Sequence, residues 1–314
     1  MNATTWLNGA ASCCAVGLSV CIGGMAQAPE LVSDRTETLS QRSITDASGH
    51  TILIRPFRRI VSGSAVADDL LVELCEPDRI VAFTAYGAAS PVGYRYGGKS
   101  QVASEQDAEG ILALKPDLFL TNNIGPSANL SPLRSSGVEV FDLGEMRGLS
   151  TFLANARTIA TLIGHPERGE RFAASFARRF DHVAAGSDAR LRKRGLYLSG
   201  YGGQLFGGTT GTSYHDVLVH AGLVDAAAGT FTNWPQYSAE QILTLDPDVL
   251  VTKPGMKDLL CRGSGLDGLK ACANGAIIEV PAEIIDDPGA LMLDAAELIH
   301  ARMVAPRALA GAGP

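Results

Sequence analysis

From residue 59 onward, short β-branched apolar runs alternate with stretches of helical periodicity. The runs at 59–62, 79–84, 117–121 and 138–143 predict strands, and 65–75, 106–114 and 126–135 predict the helices between them. Such alternation gives parallel strands joined by crossover helices. The same grammar restarts at Gly195, with strands at 195–199, 248–252 and 276–280 and helices at 214–221, 239–245 and 288–302. The segment from Glu109 to Leu118 (EGILALKPDL) aligns with that from Glu240 to Val249 (EQILTLDPDV), each a helix stopped by Pro with Asp opening the next strand. A weaker echo pairs Asp69-Leu70-Leu71-Val72 with Asp216-Val217-Leu218-Val219. The fold class is therefore α/β, with two parallel-sheet lobes of similar plan.

Between the lobes, Gly164 ends one helix and Pro166 opens another. Phe172, Phe176, Phe180 and Val183 then recur on one face as far as about Arg194, predicting a connecting helix about 40 Å long. The chain divides into a leader (1–26), a Ser/Thr-rich linker (27–50), an N-terminal lobe (51–164), the connecting helix (165–194), a C-terminal lobe (195–305) and a tail (306–314).

Charge sharpens this picture. The 314 residues carry 26 basic and 33 acidic side chains, and the net charge of −7 excludes nucleic acid as the main partner. The first 29 residues have no charged side chain at all. Small residues before Gln27 and before Pro29 fit a signal-peptidase cut, preferred after Ala26 because Pro29 hinders cleavage after Ala28. Val20 makes a poor lipobox before Cys21, so export to the periplasm without a lipid anchor is expected. The mature chain keeps Cys75, Cys261 and Cys272. Cys261 and Cys272 flank a Gly-rich segment that can close as a short loop and form a candidate disulfide; Cys75 reads as a buried thiol. No metal-ligand spacing accompanies them.

In open parallel sheets, ligands bind beyond the C-terminal strand ends. The segments there are rich in aromatics: Tyr86, then Tyr94-Arg95-Tyr96, then Tyr201 and Phe206, and finally Trp234. These seven are the candidate ligand-binding residues. Phosphate-loop and Gly-x-Ser-x-Gly motifs are absent. An exported α/β enzyme using His215 and Asp216 as acid and base is the reading of a different class.

The strand and helix signatures around Arg59, Asp78, Asp117 and Asp248 resemble the substrate-binding proteins of metal-chelate ABC importers. That resemblance implies two Rossmann-like lobes joined by one backbone helix, a monomer, no catalytic activity or cofactor, and delivery to a permease dimer. The stretch Trp234-Pro235-Gln236-Tyr237-Ser238-Ala239-Glu240-Gln241 is similar to periplasmic cobalamin-binding proteins. It implies that Trp234 contacts a corrinoid and that Glu240, with Glu109 in the matching repeat, docks the permease. The tryptophan those proteins carry before the first docking glutamate is missing near Ala103. Tyr94-Arg95-Tyr96 raises haem as an alternative, and Arg95, Lys99 and the tyrosines suit a ferric siderophore.

Overall fold

The computed structural model describes residues 42–122, 130–185, 193–263 and 265–305. The expected leader and tail lie outside the described residues. Strands β1 (Ser43–Thr45) and β2 (Thr51–Leu53) pair antiparallel. The end of the expected linker is thus a hairpin. Its turn is held by Asp46, whose carboxylate accepts from the Ser48 and His50 amides (2.9 and 2.8 Å) and from the Asp142 amide (3.1 Å). A Ser/Thr-rich stretch reads as a linker until one aspartate satisfies the turn and ties it to the lobe.

The N-terminal lobe runs β3 (Ile60–Ser62), α1 (Ala65–Leu74), β4 (Ile80–Thr84), α2 (Ala85–Ala89), β5 (Ser100–Val102), α3 (Ala108–Ala113), β6 (Leu118–Thr121), α4 (Ser131–Ser135) and β7 (Glu139–Asp142). The sheet order is β5-β4-β3-β6-β7, all parallel. β5 has one buried residue, Val102, and so lacks the apolar run that marks the other strands. Ser64 caps α1 by accepting the Ala67 amide at 3.1 Å.

Two packed helices follow, α5 (Leu149–Leu162) and α6 (Pro166–His182). α6 touches α1 of the N-terminal lobe and helices of the C-terminal lobe. Its 17 residues give about 26 Å, shorter than the expected 165–194 helix, and residues 186–192 lie outside the described residues. Phe172, Phe176 and Phe180 do pack as a stripe, with Phe152 of α5 against Phe176 at 5.0 Å.

The C-terminal lobe runs β8 (Arg194–Tyr197), β9 (Ser199–Tyr201), β10 (Gln204–Phe206), α7 (Ser213–His220), β11 (Val224–Asp225), β12 (Gln236–Tyr237), α8 (Ala239–Leu245), β13 (Val249–Thr252), α9 (Met256–Asp258), α10 (Lys270–Ala273), β14 (Ile277–Glu279), α11 (Ala282–Ile285) and α12 (Met292–Val304). Four of its strands form a parallel sheet, β11-β8-β13-β14. The stretch from Gly200 to Gly208, expected as a loop, instead contributes to a small antiparallel sheet β12-β10-β9. Gly202 and Gly203 at φ 58° and 76° make its hairpin turn.

The sequence repeat is a repeated bonding device. Asp117 accepts the Arg59 amide at 2.9 Å, while Arg59 donates back to the Leu114 and Lys115 carbonyls that end α3. Asp248 likewise accepts the Arg194 amide at 2.9 Å, and Arg194 donates to the Leu245 carbonyl that ends α8. Lys115 and Asp246, aligned in the repeat, both adopt positive φ (50° and 38°) where the chain turns from helix to strand.

Candidate functional site

The lobes face each other with their C-terminal strand ends. Ala65, Asp69, Tyr86 and Tyr96 of one lobe and Glu283, Asp287 and Leu291 of the other meet around a crevice of only about 10 Å³. Next to it, beyond β8 and β13, lies a network that sequence reading missed. The Tyr197 and Tyr214 hydroxyls both donate to Asp286 Oδ1 (3.1 and 2.9 Å), and Lys253 Nζ lies 2.5 Å from Asp286 Oδ2. Burial, with the Asp286 charge beside them, pushes both phenols up, so they stay protonated donors. The available signal was position: Tyr197 ends β8 and Lys253 follows β13 directly.

The expected residues separate into two groups. Tyr94 (83% exposed), Tyr201 (84%) and Trp234 (47%) stand on the surface of segments that leave the strand ends. Tyr86 is also exposed, and burial together with the Asp287, Asp286 and Glu283 charges of the other lobe raises its phenol. Phe206 ends β10 and is half-buried. Tyr201 borders a groove of about 460 Å³ with Leu205, Gln236 and Leu259.

Tyr96 is buried at the floor of the crevice. It is 5% exposed, packs on Phe83 at 4.4 Å and donates to Asp69 Oδ1 at 3.2 Å. Burial, reinforced by the Asp69 and Asp68 charges, raises its phenol far from ionisation, so it is no phenolate. Arg95 is engaged by Glu73, and Lys99 donates to the Pro77 carbonyl at 2.7 Å.

The aromatic rim is braced across the lobes. Arg147 Nη1, just after β7, donates to Asn233 Oδ1 at 3.1 Å, immediately before Trp234. Asn233 holds φ 59° and is fixed on its backbone by Thr209 and Thr210. The other face of Arg147 pairs with Glu145 at 2.5 Å.

His215 and Asp216 do not form an acid–base pair. His215 Nδ1 meets Asp225 Oδ2 at 2.7 Å, and that carboxylate also accepts the Thr209 hydroxyl (2.6 Å) and the Ala227 amide. Asp216 Oδ2 accepts the Leu149 amide at 2.6 Å. Successive side chains on a helix diverge by about 100°, which sends the two to different neighbours.

Glu109 and Glu240 are both exposed. Each is the second residue of its helix, after caps by Asp107 on the Gly110 amide (2.9 Å) and by Ser238 on the Gln241 amide (3.2 Å). Cys261 and Cys272 are disulfide-bonded with Cα atoms 5.5 Å apart. Cys75 is a buried free thiol, raised to about 11 by its burial. No group of three or more His, Cys, Asp or Glu that could hold a metal ion occurs among the described residues, and none of their helices is long and apolar enough to cross a membrane.

Two α/β lobes facing across a cleft, with an aromatic rim and a polar floor, define a two-lobed solute-binding protein. The chain belongs to the periplasmic binding protein family, whose profile matches residues 60–284. It is 28% identical over 248 residues to a cobalamin-binding protein of Halobacterium salinarum, covering 73% of this chain and 65%, just under two thirds, of that protein. It is 30% identical over 209 residues to a vitamin B12-binding protein of Yersinia pestis, covering 64% of this chain and 71% of that one. A solved periplasmic haem-binding protein from Pseudomonas aeruginosa matches with a TM-score of 0.65 at 22% identity, over 78% of this chain and 92% of the other, a likeness of fold. These relatives are binding proteins, not enzymes.

Proposed function

We propose that this chain is exported to the periplasm by cleavage of residues 1–26, captures a metal chelate between its lobes and delivers it to an ABC permease, with cobalamin as the favoured ligand. The state of the cations supports the choice of ligand. Arg95, Arg147 and Lys253, in the segments beyond β4, β7 and β13, are each matched by a carboxylate, whereas Lys99 keeps its charge against a carbonyl and Lys257 is exposed on α9. The segment 123–129 beyond β6 has no charged residue in its sequence. A haem presents two carboxylates and many ferric siderophores are anionic, so both need unmatched cations. A corrinoid rimmed by amides needs aromatic faces and neutral hydrogen-bond partners, which the exposed Trp234 and Tyr86 side chains supply.

The chain acts as a binding protein, not as an enzyme. Asp216 is committed to a backbone amide and His215 to Asp225, which leaves neither free to serve the other. Glu109 and Glu240, on matching helix turns, are the permease contacts of a protein that works as a monomer.

Titration of residues 27–314 with cyanocobalamin, haemin and a ferric siderophore, followed by visible absorbance and Trp234 fluorescence, tests the reading. Micromolar or tighter binding of cyanocobalamin is expected. Tighter binding of haemin or siderophore overturns the ligand, and binding of none overturns the chelate role. Edman sequencing of the exported protein is expected to begin at Gln27.

A further inference from the structure

The aligned pair Asp69 and Asp216 does the same thing twice. Asp69, in the first helix of the N-terminal lobe, crosses to the C-terminal lobe and accepts the Ala290 amide at 3.0 Å, just ahead of α12. Asp216, in the first helix of the C-terminal lobe, crosses back and accepts the Leu149 amide at 2.6 Å, the first residue of α5. The recipient helix α5 follows β7, the last strand of its lobe, and α12 follows β14, the last strand of the other, after the short α11. A glycine precedes each donor and makes room. A Cβ on Gly148 would stand 2.2 Å from Asp216 Oδ2, and one on Gly289 would stand 2.7 Å from Asp69 Oδ2.

Within the lobes, α1 packs on α5 and α7 packs on α12. The two crossing bonds therefore close a ring: α1 to α12 by Asp69, α12 to α7 by packing, α7 to α5 by Asp216, and α5 to α1 by packing. A ring held at both crossings restrains lobe separation more than either crossing does, with the exposed Arg147–Asn233 bond as a further brace at the rim. Asp216 meets the first amide of α5, which has no intrahelical partner, and Asp69 meets the amide just ahead of the α12 cap.

We infer that Asp69 and Asp216 are paired positioning residues that set the width of the crevice between the lobes. The lobe geometry stands whatever the ligand; its effect on affinity rests on the binding role proposed above.

The test uses nitroxide labels on Ser135→Cys and Asp267→Cys, exposed positions in opposite lobes, with pulsed electron–electron resonance reading the distance between them. Cys75 is buried and Cys261 and Cys272 are bonded, which leaves the new thiols for labelling. Asp69→Ala and Asp216→Ala are each expected to broaden the distance distribution about 1.5-fold or more, and the double variant more than either. Asp69→Asn and Asp216→Asn keep an acceptor oxygen and are expected to restore the parent width. Gly148→Ala and Gly289→Ala displace the carboxylates without removing them and are expected to broaden the distribution too. They carry the test if the alanine variants at the aspartates fail to fold. Folded alanine and glycine-site variants with the parent distribution overturn the proposal. Cyanocobalamin affinity is expected to fall 5- to 20-fold in variants with broadened lobes. A parent protein that binds no chelate overturns the binding role and leaves the distance result standing.

Discussion

The rings of Tyr197 and Tyr214 stack 4.0 Å apart, almost parallel, and both hydroxyls converge on one oxygen of Asp286. The other oxygen takes the ammonium of Lys253. One carboxylate therefore arranges two phenols and neutralises the cation at the C-terminal ends of β8 and β13. Both phenol protons are spent within this network, which fixes the two rings and adds no net charge at the strand ends.

Asp286→Asn removes the charge that matches Lys253. The freed ammonium is expected to raise haemin affinity roughly 3- to 10-fold, about 1 kcal/mol for a partly exposed pair, while cyanocobalamin affinity falls. Parallel absorbance titrations of the two ligands read both signs. Equal changes for both ligands would count against the charge-matching argument.

Trp234 and Tyr96 are expected to respond in opposite ways. Trp234→Ala leaves an exposed site and should shift unfolding free energy by no more than about 0.5 kcal/mol, while weakening corrinoid binding by about 1–3 kcal/mol. Tyr96→Ala empties a core position and should cost about 3 kcal/mol or more of stability. Urea unfolding and fluorescence titration separate the two effects.

Glu109→Arg combined with Glu240→Arg is expected to leave ligand affinity within about twofold and to abolish permease-dependent uptake, because both side chains are exposed on the first turns of their helices. Uptake of radiolabelled cobalamin by cells carrying each form is the measurement. Lost affinity in the purified double variant would contradict the docking role.

Asp68 and Asp287 are held up at about 7, first by burial and then, for Asp287, by the Asp69 charge; hydrogen bonds from Ser62 and Thr84 oppose the rise at Asp68. A raised pKa in the folded state means stability that is complete below the unfolded carboxylate value of about 4 and is lost as pH rises through about 7. Glu76 works in the other direction. Burial tends to raise it, but Arg79, His165 and Arg168 lower it to about 2, so its contribution is lost only as pH falls below the usual carboxylate range. Melting temperature is thus expected to decline from pH 5 to pH 8, and Asp68→Asn is expected to flatten that slope.

Reduction of the Cys261–Cys272 bond, or Cys261→Ser with Cys272→Ser, is expected to cost about 2–3 kcal/mol, the closure entropy of a short loop. Guanidinium unfolding with and without dithiothreitol reads this directly.

Much of this protein was legible along the chain because periodicity, Pro and Gly report local backbone preference. The alternation of strand and helix determined two parallel-sheet lobes, and the repeat determined that Glu109 and Glu240 occupy the same helix turn. Local pattern was outweighed where a distant partner intervened: Asp46 turned the end of a linker into a hairpin, and Asp69 with Phe83 buried Tyr96 beneath the exposed rim. Which side chains meet across the lobes was decided only by the tertiary structure. Asp69 and the Ala290 amide lie 221 residues apart, Arg147 and Asn233 86. His215 chose Asp225 over the adjacent Asp216 because neighbours on a helix face different directions. Adjacency in space is a property of the packed fold, and a bond between distant segments leaves no periodic trace in the sequence.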